Sequence, residues 1–380
     1  MPTLHAQMHD QLLELIHLLD LADQKERILK FFTLLTAESL NISPADLTPQ
    51  WSTINNNGIP FQLDVSLGQK AEGLRFLTEV GAGAFPPFKQ ITFSYIRLQT
   101  ICEELGWFKH GQLIREAGEN LLPQDPETIG MLQAGTMWIG LGFFKSTLPK
   151  LSVYYEVRWG SLEERWLRLF KFLLKQGCYG AVEQLRGLLR TMSCFSQPLG
   201  VAIDLDDQGL RIIKLYFRTF RTAINELSQV LDKAGFTAQP LILNALSNTL
   251  LKSGEAFPPN AIVYYLAIAP HSDQIEAIKV DVCSHCIKLS DQETKERWIE
   301  LAHHLGIETE TYLKVLDLFL DPSTTDLKEM CHAFLGIGID SKERIKLNSY
   351  LRPILKDGKT DKMLKKDTIP DIRQFSKSIY

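Results

Sequence analysis

The chain has 380 residues, 45% of them hydrophobic and 23% charged, and carries a net charge of −4 at pH 7. These values are typical of a soluble globular protein, and the negative charge argues against nucleic acid as its main partner. No apolar run reaches the roughly 18 residues of a membrane span. Met1–Leu19 also lacks the pattern of a signal peptide, so we expect a cytoplasmic protein that does not enter the membrane.

The six cysteines do not indicate a disulfide framework in a chain of this length. Cys283 and Cys286 form a C-x-x-C pair, but no second pair at metal-ligand spacing completes four zinc ligands. We therefore expect two partly buried thiols at the end of a strand, and no metal site.

Residues 1–57, the first in chain order, are predicted to form a helical segment. Leu12, Ile16 and Leu19 recur at nearly helical spacing, and Asn55–Gly58 is a turn signal before the first predicted strand.

Residues 58–353 repeat one pattern five times. A run rich in glycine or β-branched residues is followed, after a short gap, by a second run that mostly places Arg, Lys or Tyr at alternate positions. Side chains alternate between the two faces of a strand, so each pair of runs predicts a hairpin. The predicted pairs are Ile59–Ser66 with Leu74–Glu79, Thr136–Phe144 with Leu151–Trp159, Val201–Asp206 with Arg211–Phe217, Ala261–Ala269 with Ile275–Val282, and Phe334–Ile339 with Arg344–Leu351.

Amphipathic stretches with helical periodicity lie between the pairs. The predicted helices are Phe88–Leu105, Leu162–Leu174, Thr219–Ala234, Gln292–His304 and Thr311–Leu320. Ten antiparallel strands joined in this way can close into a barrel, which removes exposed edges. The predicted fold is therefore α+β, a ten-stranded antiparallel αββα barrel with a solvent-filled lumen and an outer ring of helices. An open sheet with helices on one face is the alternative. A basic tail, 354–380, completes a single domain, 1–380.

Basic and aromatic residues share faces of the predicted strands. Lys346, Asn348 and Tyr350 lie on one face of their strand, and Lys214 and Tyr216 on one face of another. If these faces point inward, the lumen is cationic and lined with tyrosine, which suits an anionic ligand such as a diphosphate.

This ordered set resembles the aromatic prenyltransferases of the dimethylallyltryptophan synthase family, from about Pro60 to Pro353. The acid and the arginine of that family's first hairpin correspond to Asp64 and Arg75. In its second hairpin, the K-x-Y motif reads Ser152-Val153-Tyr154 here, so its lysine is absent.

The resemblance implies roles for individual residues. Asp64 would stabilise the acceptor ring, Lys145 would remove the final ring proton, and Gln62 would help to bind the acceptor. The implied diphosphate ligands are Arg75, Lys214, Lys279, Arg344 and Lys346, and the implied aromatic shield of the allylic cation is Tyr154, Tyr216 and Tyr350. The structural alternatives are that the cations pair with carboxylates, that Asp64 pairs with Arg75, and that Lys145 is a solvated hairpin residue.

The implied activity is transfer of a dimethylallyl or geranyl group from its diphosphate to an indole of a tryptophan-derived secondary metabolite. One alternative is a phenol, tyrosine or peptide acceptor on the same barrel. Another is a non-catalytic barrel that binds an anionic amphipathic ligand.

The chain has no D-D-x-x-D magnesium motif, and Asp204–Asp207 is predicted to lie at a turn. No cofactor is expected to be required, although Mg²⁺ can arrive with the diphosphate and stimulate the reaction. We expect a monomer or weak homodimer.

Overall fold

The computed structural model describes residues 2–55, 57–67, 73–132, 135–221, 224–236, 239–251, 255–287, 289–320 and 330–353. The predicted tail, 354–380, lies outside the described residues. The division into residues 1–57, 58–353 and 354–380 stays a prediction.

Ten strands occur in the described ranges, in the five predicted pairs. They are β1 (Phe61–Leu67), β2 (Gly73–Thr78), β3 (Met137–Phe144), β4 (Lys150–Glu156), β5 (Ser196–Asp206), β6 (Gly209–Thr219), β7 (Ile262–Ile268), β8 (Ala277–Cys283), β9 (His332–Asp340) and β10 (Ile345–Leu351). Each strand is antiparallel to the strands before and after it, and β10 pairs with β1 to close the barrel. The predicted α+β barrel is confirmed, and the open sheet is excluded.

Helices lie on the outside of the barrel, before the first strand pair and between successive pairs. They are α1 (Leu4–Leu18), α2 (Lys25–Leu40), α3 (Pro87–Glu104), α4 (Phe108–Leu121), α5 (Pro126–Met131), α6 (Leu162–Lys175), α7 (Tyr179–Ser193), α8 (Ile224–Lys233), α9 (Gln239–Leu250), α10 (Asp291–His304) and α11 (Glu310–Leu316). The barrel therefore has a hairpin end, where β1–β2 and the four similar pairs turn, and a helix end, where the helical connections join it. In the described part of the chain, no helix is long and apolar enough to cross a membrane.

Local capping signals explain where two of these helices begin. Ser161 accepts from the backbone N–H of Glu164, whose side chain accepts from the backbone N–H of Ser161, and Ser290 and Glu293 repeat the arrangement before α10. Such capping boxes satisfy backbone donors that have no partner within the helix.

Two predicted boundaries near β5 and β6 are wrong. The helix predicted from Thr219 begins at Ile224, because the β5–β6 ladder continues until Ser196 pairs with Thr219. The strand predicted from Val201 begins at Ser196, and a shift of register accommodates Pro198. Proline cannot donate to a ladder, which is why bulges tolerate it.

The hydrophobic core lies between the barrel and its helices, not inside the barrel. Phe61 and Phe76 on β1 and β2 meet Phe32 of α2, with ring centroids 5.4 Å and 6.3 Å from the Phe32 ring. Because the outward side chains supply the core, the inward side chains are left to form a polar lumen.

Tyr155 joins this outer core to α4. It is fully buried, and its hydroxyl donates to the backbone carbonyl of Ile114 at 2.7 Å. We expect Tyr155→Phe to lower the free energy of unfolding by about 1 kcal/mol, because one buried hydrogen bond is lost. Urea denaturation measures this. Tyr179→Phe, at a largely exposed tyrosine, is the control, and an equal effect of both variants would contradict the assignment.

Candidate active site

Strand alternation places the predicted polar rows on the lumen face, the inner face of the barrel. On β6, Lys214 and Tyr216 remain partly exposed, whereas Ile213, Leu215 and Phe217 are fully buried against the helices. The predicted inward orientation of the rows is therefore confirmed.

Asp64 lies where the first and last strands meet. Its carboxylate accepts from the side-chain amide of Asn348 at 2.8 Å and from the guanidinium of Arg75 at 3.4 Å. Asn348 also donates to Ser66 at 2.9 Å, so it fixes the position of the carboxylate relative to β1.

Lys214 forms an ion pair within the lumen. Its ammonium lies 2.6 Å from Asp204, whose second oxygen accepts from the Ser152 hydroxyl at 2.7 Å. Burial alone would lower the pKa of Lys214, but the Asp204 carboxylate raises it above the ordinary lysine value. Asp204 lies within β5, so its predicted position at a turn is wrong.

Lys279 forms a second, more deeply buried pair. Its ammonium lies 2.8 Å from Asp281, donates to the Tyr350 hydroxyl at 2.5 Å and sits 4.2 Å from the centre of the Tyr350 ring. Burial raises the pKa of Asp281, and Lys279 partly offsets that effect. Carboxylate pairing, the alternative considered for each cation, therefore occurs at Arg75, Lys214, Lys279 and Arg344.

Three tyrosines, on β4, β6 and β7, form a wall of rings in the lumen. The ring centroids of Tyr154 and Tyr216 are 5.8 Å apart, and those of Tyr216 and Tyr265 are 5.2 Å apart. Burial raises the pKa of each of these tyrosines, so all three are neutral at physiological pH. Neutral aromatic faces attract cations.

A second group of cations, Arg75, Lys150 and Lys346, lies toward the hairpin end, and of these Arg75 is paired with a carboxylate. Arg75 and Lys150 each lie 5.2 Å from the centre of the Phe144 ring. The pKa of Lys346 is lowered by partial burial and then by the positive charges of Arg75 and Arg344, with Lys150 adding a smaller effect.

Three further predicted site residues are held by partners other than those predicted. Lys145 follows β3 and pairs with Asp20 at 2.9 Å, so its position does not support the role of a base near Asp64. Arg344 is 68% exposed in the β9–β10 turn and pairs with Asp340 at 2.6 Å. Gln62 is buried and donates to Asn55 at 3.1 Å, which restricts its reach toward an acceptor.

Sequence reasoning missed Asp204 and Lys150 as lumen residues. Strand alternation could have indicated both residues. Asp204 shares a face of β5 with Ala202, and Lys150 shares a face of β4 with Ser152. Only the register of the strands shows which partners these side chains meet.

One buried cluster of possible metal ligands, Asp291, Cys331 and His332, has another explanation. Asp291 accepts from the imidazole of His332 at 2.6 Å and from the backbone amides of Cys331 and His332. The other imidazole nitrogen of His332 lies 2.8 Å from the Tyr312 hydroxyl. These bonds join α10 and α11 to β9, so the donors stabilise the fold.

Cys283 and Cys286 lie at the helix end, where β8 stops. A hydrogen bond from the Cys283 thiol lowers the pKa of Cys286 to about 5, although burial opposes it. We expect iodoacetamide at pH 6.5 to label Cys286 about tenfold faster than an ordinary thiol, since the thiolate is the nucleophile. Peptide mass spectrometry measures this, with the exposed Cys194 as reference. Cys283→Ala should slow the labelling, and an unchanged rate would contradict the hydrogen bond.

The charges of the lumen are thus unevenly distributed. Among the described residues, Lys150 and Lys346 have no ion-pair partner and lie toward the hairpin end, while the carboxylates Asp64, Asp204 and Asp281 are paired with cations and lie among the tyrosines. Such an arrangement can bind an anion and stabilise positive charge that develops beside it.

No protein-family model matches the chain, and no curated protein matches its sequence. Solved structures do match its fold. They include 5-dimethylallyltryptophan synthase from Streptomyces coelicolor, with a TM-score of 0.78 at 16% identity over 92% of this chain and 97% of that chain. The 6-dimethylallyltryptophan synthase from Micromonospora olivasterospora, solved with DMASPP and Trp, gives 0.75 at 16% identity over 92% and 97%. PriB, solved with L-tryptophan and dimethylallyl thiolodiphosphate, gives 0.77 at 13% identity over 93% and 99%.

At these identities, the likeness establishes the fold. The chain has the barrel fold of the dimethylallyltryptophan synthases, as the resemblance in sequence predicted.

Proposed function

We propose that this protein is an aromatic prenyltransferase. It would transfer a dimethylallyl or geranyl group from the corresponding diphosphate to an indole of a tryptophan-derived secondary metabolite. The cluster of cations at the hairpin end of the lumen, beside a wall of tyrosines, is the observation that carries this proposal, and similar structures solved with an allylic diphosphate analogue and tryptophan support it.

The proposed reaction begins when the allylic carbon–oxygen bond breaks and its electron pair leaves with the diphosphate. Arg75 and Lys346, with Lys214 and Lys279 beyond them, would stabilise the charge on the leaving group. Tyr154, with Tyr216, Tyr265 and Tyr350, would shield the allylic cation from water.

An indole carbon would then form a bond to the allylic cation, and positive charge would move onto the ring. Asp64 is the proposed group that stabilises this charge and accepts the ring proton, which restores aromaticity. Because protein cations supply the charge that binds the diphosphate, the proposal requires no metal, and Mg²⁺ would at most stimulate. The protein would act in the cytoplasm as a monomer or weak homodimer.

Mass spectrometry of the purified protein with dimethylallyl or geranyl diphosphate tests the proposal. The acceptors are indoles, phenols and aromatic peptides, each with and without Mg²⁺. We expect the mass of one prenyl group to be added to an indole. Addition only to a phenol or peptide would move the acceptor to the alternative class. Diphosphate binding without any product would favour the non-catalytic barrel, and no binding would contradict the proposed lumen.

A further inference from the structure

The lysine missing from the K-x-Y position has a counterpart two residues earlier on the same strand. Ser152 occupies that position and donates to Asp204. Lys150 precedes it by two residues on β4, so its side chain lies on the same face, closer to the hairpin end.

Gly142 lies between Lys150 and Arg75. Gly142 on β3 pairs with Arg75 on β2 and with Lys150 on β4, so the three residues lie in one row across three strands. Gly142 has no side chain, and a Cβ there would lie 3.3 Å from the Arg75 side chain and 3.2 Å from the Phe144 ring. The Phe144 ring therefore packs over Gly142, and both cations lie against this ring.

Lys150 differs in its pairing from Lys214 and Lys279. Those two lysines each have a carboxylate within 2.8 Å, whereas Lys150 and Lys346 have no ion-pair partner in the part of the chain that the structure describes. Clustered like charges repel, and an anion bound between them relieves the repulsion. Two unpaired lysines and an arginine at one end of a lumen therefore favour a multiply charged anion.

We propose that Lys150, together with Arg75 and Lys346, forms the main diphosphate subsite at the hairpin end of the lumen. Lys150 takes the place of the lysine absent at Ser152, and Lys214 and Lys279 mainly hold lumen carboxylates. This inference rests on the proposed function, because it places the diphosphate of that reaction.

Titration calorimetry with inorganic pyrophosphate, and then with dimethylallyl thiolodiphosphate, tests the subsite on the full chain. Lys150→Ala should raise the Kd of pyrophosphate about tenfold or more, since a charge-assisted hydrogen bond is lost. Lys342→Ala is the matched control: it removes one positive charge at the same end of the barrel, from an exposed turn residue. It should change the Kd by less than about twofold, because exposed charges at a distance are screened.

The outcomes separate this inference from the proposed function. Equal affinities of the Lys150→Ala and Lys342→Ala proteins, with tight wild-type binding, would overturn the subsite and leave the prenyltransferase proposal standing. Failure of the wild-type protein to bind either ligand would contradict both. Lys150→Arg should retain most of the affinity, and circular dichroism of each variant confirms that it is folded.

Discussion

Asp64→Asn is expected to lower the turnover of an indole acceptor about a thousandfold, within the range that a positioned general base contributes. Asparagine has nearly the same shape and can still accept from Asn348, so the lumen keeps its form. It carries no negative charge to stabilise the prenylated ring and cannot accept its proton. Diphosphate binding should therefore stay within about threefold of the wild-type value, because only a carboxylate beside Arg75 has been neutralised.

Steady-state kinetics and pyrophosphate titration measure the two effects separately. The control is Asp20→Asn, which neutralises an exposed, paired aspartate outside the barrel and should leave both values unchanged. A normal rate in Asp64→Asn would remove this residue as the base. Asp281 would then be the next carboxylate to test, because burial raises its pKa.

Lys214→Met is expected to lower the free energy of unfolding by about 2 kcal/mol, because it leaves the Asp204 carboxylate in the lumen without its ammonium partner. The two side chains are only 18% and 26% exposed. Lys314→Met is the control, since Lys314 and Glu310 form a pair with the same 2.6 Å separation on the surface. It should have a much smaller effect than Lys214→Met, because exposed ion pairs contribute little to stability.

Chemical denaturation of the single variants Lys214→Met and Asp204→Asn, and of the double variant that combines them, measures the coupling between the two residues. The double variant should lose less than the sum of the single losses. The folded-state pKa of Lys214 is raised, so its contribution is present below the unfolded lysine pKa of about 10.4 and is lost as pH rises through the folded value. The difference from the wild type should thus be constant at neutral pH and shrink only above about pH 10. Additive losses would contradict the pair.

The strand pairs could be predicted from sequence because alternation is a local signal. It indicated which residues share the lumen face, such as Lys214 with Tyr216, without knowledge of their neighbours. The start of β5 could not be predicted in this way, because Pro198 is a poor strand residue and only the pairing with β6 maintains it in the ladder.

The partners of the lumen charges depend on register, which the sequence does not state. Bulges near Pro198 and Asp204 shift the β5–β6 pairing, and the shifted register brings Asp204 to Lys214. Packing of helices onto β9 likewise unites Asp291 and His332, which are 41 residues apart. The sequence therefore indicated the types of residue in the lumen but not their ion pairs.

The seam of the barrel has a consequence for synthesis of the chain on the ribosome. Asn348 reaches Asp64 across 284 residues, because the last strand completes the ring beside the first. Until β10 has emerged, β1 and β9 present open edges, and the carboxylate lacks the amide that positions it. A nascent chain would therefore be most prone to aggregate while β10 has not yet joined β1 and β9. Premature termination within the last strand should yield an insoluble product rather than a partly active one.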